Sequence, residues 1–181
     1  ALEAAMLQAI QQADVILTSG GVSVGEADYT KQVMEKLGSV NFWKIAMRPG
    51  RPMAFGQVHD ATSGQSAYLF GLPGNPVAVM VTFYAFVRDA LVKLANASPL
   101  PLHRLTVRLT QGVRKRPGRT EYQRARLQIV DGVLTANLTG AQGSGILRSM
   151  SESECLLVLE HEQGDLQAGE LVQAIPFEGL I

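Results

Sequence analysis

The sequence predicts an α/β layer followed by a small, mostly antiparallel β-domain, and three observations predict it. The short apolar run Val15-Ile16-Leu17 leads into a glycine-rich loop and then a helix. A second such run, Ala67-Tyr68-Leu69-Phe70, also leads into a glycine loop and a helix. Beyond Asn96 no long helical period persists, and alternating apolar residues replace it. Strand, glycine loop and helix in succession indicate a parallel layer, and many short alternating runs indicate an all-β unit.

In chain order, Leu2, Ala5, Met6, Ala9 and Ile10 recur at three- and four-residue intervals and predict a helix over 1–13, ended by Asp14. Val15-Ile16-Leu17 has the continuous apolar form of a parallel strand covered on both faces. Thr30 to Leu37 reads as a helix closed by Gly38 at the C′ position. Val40 to Met47 and Pro52 to Val58 are strand candidates joined by a Pro49-Gly50 turn. After Ala67 to Phe70, Asn75 is placed to cap a helix that starts at Pro76 and runs to about Ala95. The Ala-Ser-Pro-Leu-Pro segment from Ala97 to Pro101 predicts a boundary, dividing the chain into 1–98 and 99–181. Past it, Leu105, Val107 and Leu109 alternate with polar residues.

With 181 residues and 46% apolar content, the chain has enough material for a sizeable core. Its apolar run at Val77 to Val87 is about half of what a membrane helix requires, so no membrane span is expected. One cysteine, Cys155, and three scattered histidines give neither a disulfide nor a zinc spacing, which fits a reducing, cytoplasmic location. Net charge is zero, yet Arg104 to Arg126 holds eight basic residues against Glu121, and Ser151 to Ile181 holds seven acids and no Lys or Arg. These stretches read as a charged face balanced by acids. A nucleic-acid surface would need interleaved aromatics, and only Tyr122 is present.

Two glycine loops carry the candidate chemistry. Ser19-Gly20-Gly21-Val22-Ser23-Val24-Gly25 follows a strand, where main-chain N–H groups reach an anionic ligand; it fits neither the dinucleotide nor the P-loop spacing. Gly71-Leu72-Pro73-Gly74-Asn75-Pro76 offers the N–H groups of a helix start. Asp28 either caps a helix or holds Mg²⁺ against a phosphate. Lys44, Arg48 and Arg51 surround a turn that could aim two guanidinium groups at one tetrahedral oxyanion, or could be solvated charge. No hydrolytic triad and no Cys/His nucleophile pair is present in the pattern.

The segments Ser19 to Thr30, Phe42 to Pro52 and Gly71 to Pro76, with Pro117-Gly118-Arg119, Tyr122-Gln123-Arg124 and Gln142-Gly143-Ser144, resemble in order and spacing the MoeA/gephyrin E-domain family of molybdopterin molybdenumtransferases. The resemblance implies that residues 1–98 are the C-terminal portion of a three-layer molybdopterin-binding domain and 99–181 the family's β-domain, the chain being a fragment. It implies insertion of molybdate into adenylated molybdopterin with release of AMP. Gly20, Gly21, Val22, Ser23, Gly25, Gly71, Pro73, Gly74, Asn75 and Pro76 would line the pterin site. Asp28 would work with Mg²⁺, and Lys44 with the catalytic groups; Arg48, Arg51, Arg124 and Ser144 would hold molybdate at the domain junction. It also implies a homodimer and a molybdopterin-adenylylating partner enzyme. The sequence departs from the family in having Arg at 48 and 51, where Lys is common, and Ala78, where Ser is common. The competing readings are an adenylyltransferase-like molybdopterin enzyme, which the β-domain disfavours, and a scaffold or peptide-binding module.

Overall fold

The computed structural model describes residues 1–22 and 29–177. Its contacts divide the chain into two compact units, the first formed by 1–45 with 50–83 and the second by 46–49 with 84–181. The expected fold class holds: an α/β unit, then a small β-unit.

The first unit opens with α1 (Leu2–Ile10), whose three-and-four spacing buries Met6 and Ile10. β1 (Val15–Ser19) follows, then α2 (Tyr29–Leu37), β2 (Gly38–Lys44), β4 (Pro52–His59) and β5 (Ser66–Leu72), with the two-residue β3 (Met47–Arg48) set aside in the second unit. The sheet has the order β1-β5-β4-β2; β1 and β5 run parallel from Val15 opposite Tyr68 to Ser19 opposite Leu72, and the other pairs are antiparallel.

Opposed residues share a face of the pleat. One face presents Ile16, Ala67, Leu69, Ala54 and Val58, which form the core with Met6, Ile10, Val33 and Met34 of the two helices. On the other face Leu17, Phe55, Tyr68 and Trp43 are exposed, Trp43 by 57%. The expectation that β1 is covered on both faces is therefore corrected: Ile16 is buried and Leu17 is not.

Three further expectations change. Gly38 is no left-handed helix cap but the first residue of β2, opposite Val58, where a Cβ would lie 2.1 Å from the Gln57 carbonyl oxygen. The strand predicted over 40–47 ends at Lys44, because Met47 and Arg48 leave it to pair in parallel with Thr120 and Glu121. The helix predicted to about Ala95 is interrupted: α3 (Pro76–Thr82) passes through a π-helical turn (Phe83–Val87) into α4 (Arg88–Leu94). A π turn takes more residues per revolution. The apolar stripe of Val77, Ala78 and Val81 accordingly lapses until Val87, and α4 buries none of its residues.

The second unit contains β6 (Leu105–Leu109), β7 (Thr120–Val130), β8 (Val133–Leu138), α5 (Leu147–Ser151), β9 (Cys155–Leu159) and β10 (Leu171–Pro176). Its sheet runs β3-β7-β8-β6-β10-β9, and β9 pairs back onto β7, so β7, β8, β6, β10 and β9 close into a barrel without free edges. Most pairs are antiparallel; β6–β8 and β3–β7 are parallel. Val107, Leu109, Val113, Ala125, Ala136, Leu157, Leu159, Val172 and Ala174 fill the core with the inert, buried thiol of Cys155, pushed up to about 12 by burial. Asp131 and Gly132, both at positive φ, make the two-residue turn between β7 and β8. Among the described residues no helix is long and apolar enough to cross a membrane.

Candidate functional site

In the first unit the two glycine loops lie side by side at the carboxyl ends of the parallel pair β1 and β5, the end at which open α/β sheets receive ligands. The Gly20 N–H donates to the Leu72 carbonyl at 2.9 Å, and among the described residues a Cβ placed on Gly74 would meet only the Gly20 Cα, at 3.6 Å. The glycines differ in what demands them. Gly21 has φ 71°, and a Cβ there would run into the Thr30 side chain at 2.5 Å. Gly71 is buried, and its Cβ would sit 2.5 Å from a Val22 methyl. Val22 itself is 4% exposed and packs in the core. Pro73 is buried, whereas Gly74, Asn75 and Pro76 are exposed. Asn75 stands at the N-cap with extended backbone and accepts the Val79 N–H at its carbonyl; its side chain makes no capping bond. Ser23, Gly25 and Asp28 lie outside the described residues.

Lys44 ends β2 opposite Pro52, and Arg51 follows the Pro49-Gly50 turn; both are exposed members of the first unit. Arg48 belongs to the second unit. Its place on β3, opposite Glu121, brings its Nη1 to 3.9 Å from the Glu121 carboxylate while half of its side chain stays exposed.

The second unit holds an unusual cation. Arg124, in the middle of β7, is fully buried. Its Nε donates to Ser149 Oγ at 2.8 Å, and its Nη2 donates to the carbonyls of Ala141 and Gly143, each at 3.1 Å. All of these acceptors are neutral. Nη1, equally buried, has no hydrogen-bond partner among the described residues. Burial, and then the like charge of Arg48 nearby, lower the pKa of Arg124 from its ordinary value. An uncompensated buried guanidinium costs several kcal/mol unless an anion meets it. Ser144 lies half-buried in the same loop as the two carbonyls.

The acid beside Arg48 is already engaged. Glu121, 2% exposed, accepts from Arg119 at 2.7 and 2.8 Å and from Gln123 Nε2 at 3.1 Å. Residue identity alone gave no sign that Glu121, Arg119 and Ser149 would serve this way; only the pairing of β7 and the fold of α5 bring them in. The remaining basic stretch is largely the balanced face that was expected: Arg104 pairs with Glu160 at 3.0 Å and Arg126 with Glu152 at 4.0 Å. Lys115 is the exception, buried with its ammonium on the carbonyls of Arg116, His161 and Gln163.

A glycine-lined loop pair and a buried arginine with one nitrogen unpartnered are features suited to anionic ligands, and comparisons with known proteins give the family. Residues 1–93 match the family described as "Probable molybdopterin binding domain". The chain belongs to that family. Residues 106–177 match the MoeA C-terminal region, domain IV. A molybdopterin molybdenumtransferase of Haemophilus influenzae is 43% identical over 99% of this chain and 43% of its own length. Gephyrin of Dictyostelium discoideum is 35% identical over 96% of this chain and 27% of its own. The crystal structure of a molybdopterin biosynthesis MoeA protein from a Pyrococcus species superposes with TM-score 0.72 at 27% identity, covering 98% of this chain and 41% of that one. The chain thus spans less than half the length of these relatives. The two matches account for the two units in turn, the first for the α/β layer and the second for the barrel.

Proposed function

We propose that the protein of which this chain is a part works in molybdenum cofactor biosynthesis as a molybdopterin molybdenumtransferase, inserting molybdate into adenylated molybdopterin with release of AMP. The observation that carries this reading is Arg124, a fully buried guanidinium bonded only to neutral oxygens and with Nη1 unpartnered. Arg48 is near enough for its like charge to act on Arg124, a repulsion that a bound anion would offset. Molybdate is a tetrahedral dianion, and a planar guanidinium suits its oxygens. The reading adds Ser144, Lys44 and Arg51 as further donors to the oxyanion.

Adenylated molybdopterin would use the paired glycine loops, the diphosphate taking main-chain N–H groups from Gly21 and Val22 and from the first turn of the helix that Pro76, itself without an N–H, begins. Ser23 and Gly25 extend that assignment outside the described residues. Mg²⁺, when bound, would neutralise the diphosphate, and Asp28 is its assigned ligand. Among the described residues no three His, Cys, Asp or Glu side chains gather around a cation position, so that assignment rests on Asp28 alone. The working protein would be a cytoplasmic homodimer supplied by an adenylylating enzyme.

Arg124→Ala in the full-length protein is the test. Losing one charge-assisted donor to a desolvated oxyanion costs roughly 1.5–3 kcal/mol, so the molybdate needed for half-maximal AMP release should rise about tenfold to a hundredfold, with affinity for adenylated molybdopterin nearly intact. An unchanged molybdate requirement would overturn the oxyanion assignment.

A further inference from the structure

Gln142 occupies a position that the oxyanion reading leaves without a role. β8 ends with Leu138 opposite Ala125, one residue short of Arg124, so the ladder on that side of β7 stops just where the buried arginine sits. The chain turns at Thr139, whose N–H donates to the Arg124 carbonyl at 3.0 Å. The loop that follows then folds back. Gln142 completes the missing rung with its side chain: Oε1 accepts the Arg124 N–H at 2.8 Å, and Nε2 donates to the Arg124 carbonyl at 3.1 Å. A primary amide carries the donor and acceptor of a peptide group in similar geometry, and here it stands in for a neighbouring strand.

The same side chain ties the loop to itself, since Nε2 also reaches the Gly140 carbonyl at 3.3 Å. The flanking carbonyls of Ala141 and Gly143 are the pair that grips Arg124 Nη2. One residue therefore fixes the backbone beneath the guanidinium and the loop around it. With Nε on Ser149 and Nη2 on the loop, Nη1 is the nitrogen left over.

We infer that Gln142 is a positioning residue for the oxyanion site, its side-chain amide setting the direction in which Arg124 Nη1 is presented. This rests on the reading of Arg124 as a molybdate ligand. A guanidinium that swings within its cavity loses the alignment on which a charge-assisted bond depends. The neutral acceptors are essential to the arrangement, because a carboxylate in their place would satisfy the cation and compete with the incoming anion.

The test uses the full-length protein with Gln142→Met, which keeps length and removes the amide, and Gln142→Glu, which keeps an acceptor for the Arg124 N–H and removes the donor. Three quantities are read: the apparent KM for molybdate in AMP release, affinity for adenylated molybdopterin, and the shift in melting temperature produced by molybdate alone. Gln142→Met should raise the molybdate KM by roughly tenfold, the scale of one lost buried hydrogen-bonding arrangement, with kcat and pterin affinity changed far less. Gln142→Glu should raise it at least as much, because its carboxylate offers the guanidinium an internal counter-ion. In both variants the stabilisation by molybdate should shrink.

Equal losses in molybdate KM, kcat and pterin affinity would overturn the inference and leave Gln142 as a general fold contact. So would a folded Gln142→Glu protein with unchanged stabilisation by molybdate. Arg124→Ala run alongside separates the two levels. If Arg124→Ala raises the requirement and the Gln142 variants do not, positioning alone fails; if Arg124→Ala has no effect, the oxyanion reading itself fails.

Discussion

The two units carry their proposed anion sites in opposite ways. In the first, the loops at the ends of β1 and β5 present backbone, and Gly20 and Gly74 are neighbours with room for a Cβ between them. In the second, a single long side chain is enclosed by the barrel wall and by the loop between β8 and α5. Backbone N–H groups are uncharged and stay solvated until a ligand arrives, so such a loop costs the fold little. A buried guanidinium is a standing charge that the fold must tolerate, and it does so with neutral acceptors. On the proposed reading, anion binding by backbone depends on which residues are small, and anion binding by Arg124 on which residues surround it.

Gly71→Val tests the first half of that contrast most severely. A Cβ at this buried position would press on Val22 at 2.5 Å and on Ala54 at 3.0 Å, so overpacking should cost about 3 kcal/mol in chemical denaturation, with pterin binding lost alongside. A loss below the uncertainty of the titration would show that the loop yields and that Gly71 is not required by packing. Glu121→Gln addresses the second half. Arg119 and Arg48 would lose their shared acid, and about 2 kcal/mol of stability should go with it, since the carboxylate is buried and charge-assisted bonds are the strong ones. If stability falls by no more than a surface pair is worth, roughly 0.5 kcal/mol, the barrel does not depend on this acid.

Gly74→Val sharpens the contrast from the other side. A Cβ there meets nothing closer among the described residues than the Gly20 Cα at 3.6 Å, so thermal stability should change by about 0.5 kcal/mol or less while affinity for adenylated molybdopterin drops. Parallel losses of stability and binding would return Gly74 to turn geometry. The smallest expected effect is a dependence on pH at the other end of β5 from the glycine loop. Asp60, in the turn before β5, accepts from Gln11, Ser63 and the Thr62 N–H, and these bonds lower its pKa from 3.8 to about 2. Because the folded value lies below the unfolded one, the stabilisation is fully present above pH 4 and is lost as pH falls through 2. Asp60→Asn should flatten the melting temperature over that window; an unchanged slope would mean that other carboxyls dominate acid unfolding.

Much of the first unit was legible in the residues themselves. The helix at Leu2–Ile10, the strands at Val15 and Ala67, and the Asn75-Pro76 helix start all follow from local rules, because period, turn chemistry and proline stereochemistry act over a few residues. The misreadings share a cause in contacts distant along the chain. Gly38 resembles a helix stop, yet it is held by a strand twenty residues away; Met47 continues an apolar run, yet it pairs with β7. The Asp131-Gly132 dipeptide was a local hairpin signal that the alternation around it could have revealed.

By itself the sequence determined which residues could bind an anion: glycines where backbone must approach, arginines where a fork is needed, and their order along the chain. Only the tertiary structure decided that, within the long basic stretch, Arg104 and Arg126 stand at the surface with acids while Arg124 is sealed inside with one nitrogen unpartnered. The physical reason is that charge is a property of a residue, whereas solvation and counter-ions are properties of its surroundings. Those surroundings are assembled from β7, the loop carrying Gln142, and α5, which come together only when the barrel closes.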